Sequence, residues 1–262
     1  MASESGTSKG AGKLASEIIR RAGRALIENT EERPRSYFPV VSYGEFLLKF
    51  KWEQGEHITL IGPTKSGKTT LALDLLSMRD FVIVLGTKAK DSTMDKLIKR
   101  GYIRLQKWSE HDKQRRVIVW PNIRNVQSAA EAKVIQQEVF REVLNAAFRE
   151  TAWCVYLDEL RYITDYLKLS EEVEILWQQG RSLDVSVVAG NQRPRHIPLL
   201  AYDQATHLFF WRDIDIENIA RMSEFTGYPK DVIVNTILNL KKHEFLYMNP
   251  IEQIAMISKV EL

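Results

Sequence analysis

Apolar residues recur along this chain in two rhythms. Short continuous runs rich in β-branched and aromatic residues, the kind buried on both faces of a parallel sheet, fall at residues 57–61, 81–85, 153–157, 185–190 and 206–211. Shorter strand candidates lie at 102–105 and 117–120. Between these runs, apolar spacing of three and four predicts helices over 70–76, 94–100, 129–148 and 172–179, with Gly101 stopping the second. The longest of them carries Ala132, Ile135, Val139, Val143 and Ala146 along one face. Beyond residue 212 the pattern gives helices near 216–225 and 231–240, parted by Gly227-Tyr228-Pro229, then two β-like runs at 244–248 and 253–257 that read as a closing hairpin. Strand and helix in alternation predict an α/β three-layer sandwich: a mostly parallel central sheet with helices on both faces, and a small C-terminal helical/hairpin extension.

The start of the chain reads differently. Residues 1–12 are small, polar and glycine-rich, and are expected to be disordered. Leu14, Ile18, Ala22, Ala25 and Leu26, interleaved with Arg20, Arg21 and Arg24, then form the pattern of a basic amphipathic helix, for which packing on the domain is the simplest role. Arg33-Pro34-Arg35 marks a connector, and residues 43–50 lead into the first core strand. The expected organisation is a disordered 1–12, a lead-in over 13–50, a core over 51–212 and the extension over 213–262.

Composition narrows the class. The chain has 262 residues, 44% hydrophobic and 27% charged, as in an ordinary globular protein. No apolar run approaches the roughly 18 residues that would span a bilayer, and the N-terminus lacks the apolar segment of a secretory signal, so a cytoplasmic protein is expected. The single cysteine, Cys154, precludes an internal disulfide, and the five histidines show no metal-ligand spacing. The formal net charge is only +3, yet from Lys88 to Arg116 ten Lys/Arg face four Asp/Glu. Such a run is ordinarily a solvated face; its functional reading is contact with nucleic-acid backbone.

The chemistry begins at Gly62-Pro63-Thr64-Lys65-Ser66-Gly67-Lys68-Thr69, which fits the phosphate-binding pattern G-x-x-x-x-G-K-[ST] between a buried strand and a helix. Backbone N–H groups from Thr64 to Lys68 are suited to cradle a β-phosphate, and Gly62 and Gly67 permit the close approach. Lys68 supplies charge to the β- and γ-oxygens, the Thr69 hydroxyl a ligand for Mg²⁺, and Thr70 the next turn of the nucleotide-binding stretch. The strand at 153–157 ends in Asp158-Glu159. With the phosphate loop upstream, Asp158 reads as the second magnesium ligand and Glu159 as the base that polarises water, rather than as a plain solvated strand end. A carboxylate dedicated to water favours hydrolysis, so ATP and Mg²⁺ are the expected cofactors of an ATPase.

The stretch Gly180-Arg181-Ser182-Leu183-Asp184-Val185-Ser186-Val187-Val188-Ala189-Gly190-Asn191-Gln192-Arg193-Pro194 resembles the segment of HerA/FtsK-type P-loop motor ATPases, of the ASCE class, where G-R precedes a buried strand ending in a T-Q-R-P-like loop. The resemblance spans about residues 55–212 and implies a RecA-like P-loop NTPase fold. It implies that Gln192 is the polar sensor contacting the γ-phosphate or the attacking water, and that Arg181 is an arginine finger reaching a neighbouring subunit's nucleotide, with Arg161 as a rival. A loop cap and a charge at a helix C-terminus are the plain alternatives for Gln192 and Arg181. Asn191 stands where the family commonly has Thr or Ser, and Asp184 where Gly is frequent. Lacking the appendages of the larger cellular members, the chain resembles compact viral and phage genome-packaging ATPases. That resemblance implies a DNA translocase, on double-stranded DNA, in a homo-oligomeric ring of six or five with a capsid or portal partner, in the host cytoplasm or virion-associated. The segment from Lys88 to Arg116 and Arg193-Pro194-Arg195-His196 are then candidate DNA surfaces. A conjugative or HerA-like DNA transfer ATPase and a nucleotide-dependent assembly switch with little turnover are the alternatives.

Overall fold

The computed structural model describes residues 37–193 and 198–261. The expected disordered start, the basic amphipathic helix, the Arg33-Pro34-Arg35 connector, and Pro194, Arg195 and His196 lie outside the described residues.

The apolar runs became the strands of one sheet. β1 (His57–Ile61), β2 (Val82–Leu85), β5 (Cys154–Leu157) and β6 (Ser186–Asn191) are buried along their whole length, as is β7 (Ala205–Trp211). The shorter β3 (Ile103–Leu105) and β4 (Arg116–Val119) complete the parallel part. Across the sheet the order is β3, β4, β2, β5, β6, β1, β7, followed by β8 (Glu244–Asn249) and β9 (Ile254–Lys259). All neighbours up to β7 pair parallel, and only β7 with β8 and β8 with β9 pair antiparallel.

Because successive strand residues point to opposite faces, each strand feeds two cores. On one face Ile83, Val155, Val187 and Leu208 pack with Phe140 and Val143 of α4 (Ala129–Glu150), Val173 and Trp177 of α5 (Ser170–Gln179), Ile219 of α7 (Ile216–Ser223) and Ile233 of α8 (Lys230–Asn239). The other face joins Leu60, Val84, Tyr156 and Phe209 to Phe46 of α1 (Tyr43–Lys49), Leu71 and Leu75 of α2 (Lys68–Leu76) and Leu97 of α3 (Ser92–Lys99). The short α6 (Leu200–Asp203) leads into β7, its Ala201 carbonyl accepting from the Thr59 hydroxyl at 2.5 Å. This is the three-layer α/β sandwich that the alternation predicts.

One segment differs from expectation. Residues 43–50, read as an irregular lead-in, form α1, because the Ser42 hydroxyl accepts from the Glu45 N–H at 3.2 Å and buries Phe46 against the aromatic cluster of β7 and β8. The C-terminal hairpin closes the sheet as expected: β8 pairs with β7 along four residues, and the strand edge at β9 meets Val40 in a further bridge. A hairpin signal specifies its own turn but not the strand on which it docks.

Candidate nucleotide site

Every strand from β1 to β7 runs the same way, so their carboxyl ends share one edge of the sandwich. Gly62 leaves β1 at that edge, Asp158 leaves β5 and Gln192 leaves β6. β6 lies between β5 and β1. This order brings three separated segments to one place.

The loop itself has the conformation that the pattern requires. Lys65 has φ +64° and Gly67 φ +108°, left-handed values that glycine adopts without strain. At Gly62 an added Cβ would stand 2.6 Å from Trp211 Cβ, so only glycine lets the loop turn over β7. Pro63, Thr64 and Lys65 are exposed, whereas Ser66, Lys68, Thr69 and Thr70 are half-buried along the first turn of α2. The Lys68 ammonium donates to the carbonyls of Gly62 at 2.6 Å and Pro63 at 2.9 Å. Burial pushes its pKa down to about 8, against the pull of Asp158 and Glu159. A cation held this way is short of counter-charge, which a polyphosphate supplies.

Opposite the loop, Asp158 gathers three partners. Its Oδ1 accepts from the Tyr156 hydroxyl at 2.6 Å and the Thr69 hydroxyl at 3.2 Å, and the Lys88 ammonium lies 3.5 Å from Oδ2 and 3.6 Å from Asp91. At Gly190 an added Cβ would meet the Asp158 carbonyl at 2.6 Å, so a glycine in β6 lets the acidic turn sit against it. The Thr69 hydroxyl and the Asp158 carboxylate are hard oxygen donors on adjacent elements, and Mg²⁺ binds typically through one or two such groups together with phosphate oxygens and water. Among the described residues no group of three or more His, Cys, Asp or Glu could hold a metal alone. The donor set therefore fits a magnesium ion that shares its coordination with a nucleotide.

Gln192 closes the arrangement. Its Oε1 accepts from the Thr64 hydroxyl at 3.2 Å and its Nε2 donates to Glu159 Oε1 at 3.3 Å, so one amide joins the phosphate loop to the acidic pair. Asn191, the departure from the resembled pattern, shapes this turn: its Oδ1 accepts the Gln192 N–H at 2.8 Å, and its carbonyl accepts the Gly62 N–H at 3.2 Å. Asp184, the other departure, adopts φ +55°, a left-handed position that explains why glycine would serve there.

The two arginines stand elsewhere. Arg161 is exposed and paired with Asp165 at 3.2 Å. Arg181 lies at the opposite edge of the sheet, where an added Cβ on Gly55, before β1, would stand 3.0 Å from the Arg181 Cα. It is exposed, and it borders a depression of about 610 Å³ with His57, Trp177, Gln204 and Phe225. Its neighbour Gly180 packs against the His57 ring, which a Cβ would meet at 2.5 Å.

Sequence reasoning did not place at this site Lys88, which it read only as part of the basic run, nor Tyr156, nor the support from the C-terminal hairpin, where His243 Nδ1 donates to the Ser66 carbonyl at 3.2 Å and Val260 packs on Gly67. Tyr156 carried a signal, since two residues along a strand share a face with Asp158. Lys88 and His243 carried none, because their proximity depends on the order of strands.

No family model and no curated relative match the sequence. Among solved structures, the DNA-packaging ATPase B204 from Sulfolobus turreted icosahedral virus aligns with 80% of this chain and 100% of its own length, at 16% identity and TM-score 0.59. The genome packaging NTPase B204 from Sulfolobus turreted icosahedral virus 2, in complex with ATPγS, aligns with 79% of this chain and 98% of its own, at 15% identity and TM-score 0.57. At such identities the likeness speaks of fold, and the chain has the RecA-like α/β architecture of these P-loop ATPases.

Proposed function

We propose that this chain is a magnesium-dependent ATPase that translocates double-stranded DNA as a homo-oligomeric ring, in the manner of a viral genome-packaging motor. The observation that carries the reading is the Gln192 amide held between Thr64 and Glu159. A γ-phosphate seated on the loop would lie beside both groups, where a change in the phosphate is felt at the carboxylate meant for water.

Each residue has a task in this scheme. Lys68 exchanges its two carbonyl partners for the β- and γ-oxygens. Thr69 and Asp158 would hold the magnesium ion, which neutralises charge developing on the phosphates. Glu159 accepts a proton from the attacking water, and Gln192 orients that water. Tyr156 keeps Asp158 aimed at Thr69 through its 2.6 Å hydrogen bond. The arrangement of B204, a packaging ATPase, and the cationic run from Lys88 to Arg116 support DNA as the substrate that moves.

Phosphate release by the purified protein tests the reading. Hydrolysis should rise on adding double-stranded DNA and fall by about 100-fold or more in Lys68→Ala and in Glu159→Gln. Tight ATP binding without phosphate release, with or without DNA, would replace the motor by a nucleotide-dependent switch.

A further inference from the structure

Next to the nucleotide site, on the same edge of the sandwich, the carboxyl ends of β3 and β4 frame a second concavity of about 450 Å³. Arg104, Gln106, Glu110, Asn122, Arg124 and Asn125 line it. Its walls are amides and two guanidinium groups, with the carboxylate of Glu110. The Arg104 guanidinium lies 4.4 Å from the centre of the Trp120 ring and donates through Nε and Nη2 to the Trp120 carbonyl at 3.2 and 3.0 Å. Among the described residues Arg124 spends only its Nε, on the Ala89 carbonyl at 2.8 Å, which leaves its two terminal nitrogens for the cleft. The carboxylate of Glu110 is occupied with the Gln106 N–H at 2.8 Å. Two anchored arginines against one carboxylate, among neutral amides, match a phosphodiester better than an apolar ligand.

The cleft is wired to Asp158. Three consecutive carbonyls in the loop after β2 are each held by one side chain: Thr87 by Gln136 at 2.7 Å, Lys88 by the Trp120 indole N–H at 2.6 Å, and Ala89 by Arg124. Gly86 completes the fit, since a Cβ there would meet the Trp120 ring at 2.7 Å. From this loop Lys88 reaches the Asp158 carboxylate. Gln136 in turn accepts from the Tyr162 hydroxyl at 2.6 Å, in the turn that follows Glu159. Of the cleft's lining, Arg124 therefore grips the loop directly and Arg104 reaches it through Trp120, and the lysine of that loop touches the magnesium-side carboxylate.

We infer that this cleft is a docking site for a backbone phosphate of DNA, and that the loop of residues 86–90 carries its occupancy to Asp158. The inference rests on the translocase reading and adds to it the site and route by which DNA acts on hydrolysis. A phosphate drawing Arg104 and Arg124 outward would pull on the Trp120 and Ala89 carbonyl contacts and shift Lys88 relative to Asp158.

Binding of a double-stranded DNA oligonucleotide, measured over a range of salt concentrations, is the test. Replacing both arginines by Ala should lower the salt slope by about one per lost phosphate contact, whereas replacing both by Lys should keep it. Trp120→Phe removes the indole N–H and keeps an aromatic face for Arg104, so DNA affinity should stay and the stimulation of hydrolysis by DNA fall about fivefold. An unchanged slope in the double Ala variant overturns the docking site, and undiminished stimulation in Trp120→Phe overturns the route. A wild-type protein that hydrolyses ATP yet binds no DNA at low salt instead overturns the translocase reading itself.

Discussion

The imidazole of His57 ties three elements together at the foot of β1. Its Nδ1 accepts from the Val187 N–H at 3.0 Å, and its Nε2 donates to the Trp177 carbonyl at 3.1 Å. One donor and one acceptor are satisfied only by the neutral ring, and burial pushes the pKa down to about 4 despite the carbonyl and Glu56. Since the folded value lies below the unfolded value of about 6.5, the unfolded chain takes up a proton that the native one refuses. Stability from this group is thus whole above about pH 6.5 and lost as pH falls, by about 3 kcal/mol near pH 4. An NMR titration of the His57 Cε1–H resonance should show no protonation above about pH 5; a midpoint near the ordinary value would refute the neutral, doubly bonded ring. Nothing in the sequence marked this histidine, because its partners come from α5 and β6. The loop residues Gly62 to Thr69 were legible for the opposite reason: their geometry is local, and a contiguous pattern encodes it.

At the scale of elements, a wall of aromatic side chains explains why α1 and the hairpin belong to the core. Phe46 is fully buried, with ring centroids 5.1 Å from Phe245, 5.5 Å from Tyr247 and 5.9 Å from Phe209. α1 thus rests on both β7 and β8, and the hairpin continues to the phosphate loop through His243 and Val260. Phe46→Ala leaves a cavity that the sheet cannot close, and should cost about 3–5 kcal/mol in urea unfolding. A loss within about 0.5 kcal/mol would mean that α1 is only loosely docked. Helices and strands with strong apolar periods were readable within a residue or two of their ends. α1 was not, since seven residues with two buried aromatics, Tyr43 and Phe46, and a serine cap carry too little period to separate helix from loop. Strand order was equally hidden, as pairing between distant runs leaves no mark in either run, and this concealed Lys88 beside Asp158.

For the whole molecule, the placement of Arg181 has the largest consequence. It stands beside Gly55, at the amino-terminal edge of the sheet, whereas the phosphate loop leaves β1 at the carboxyl edge. The five residues of the intervening strand span about 17 Å, at roughly 3.3 Å per residue, well beyond the reach of one side chain. Within one molecule Arg181 therefore has no access to the phosphates bound by Lys68. If it stabilises a transferring phosphoryl group, it does so in another copy, which makes each nucleotide site a property of two subunits. Two inactive variants separate this from a structural role. Lys68→Ala abolishes a subunit's own site but still presents Arg181, and Arg181→Ala does the reverse. Mixed after subunit exchange, they should recover up to about a quarter of wild-type hydrolysis, from sites that pair an intact loop with an intact neighbour. A mixture as inactive as its components, under conditions where mixed assemblies are shown to form, would confine Arg181 to holding the turn between α5 and β6.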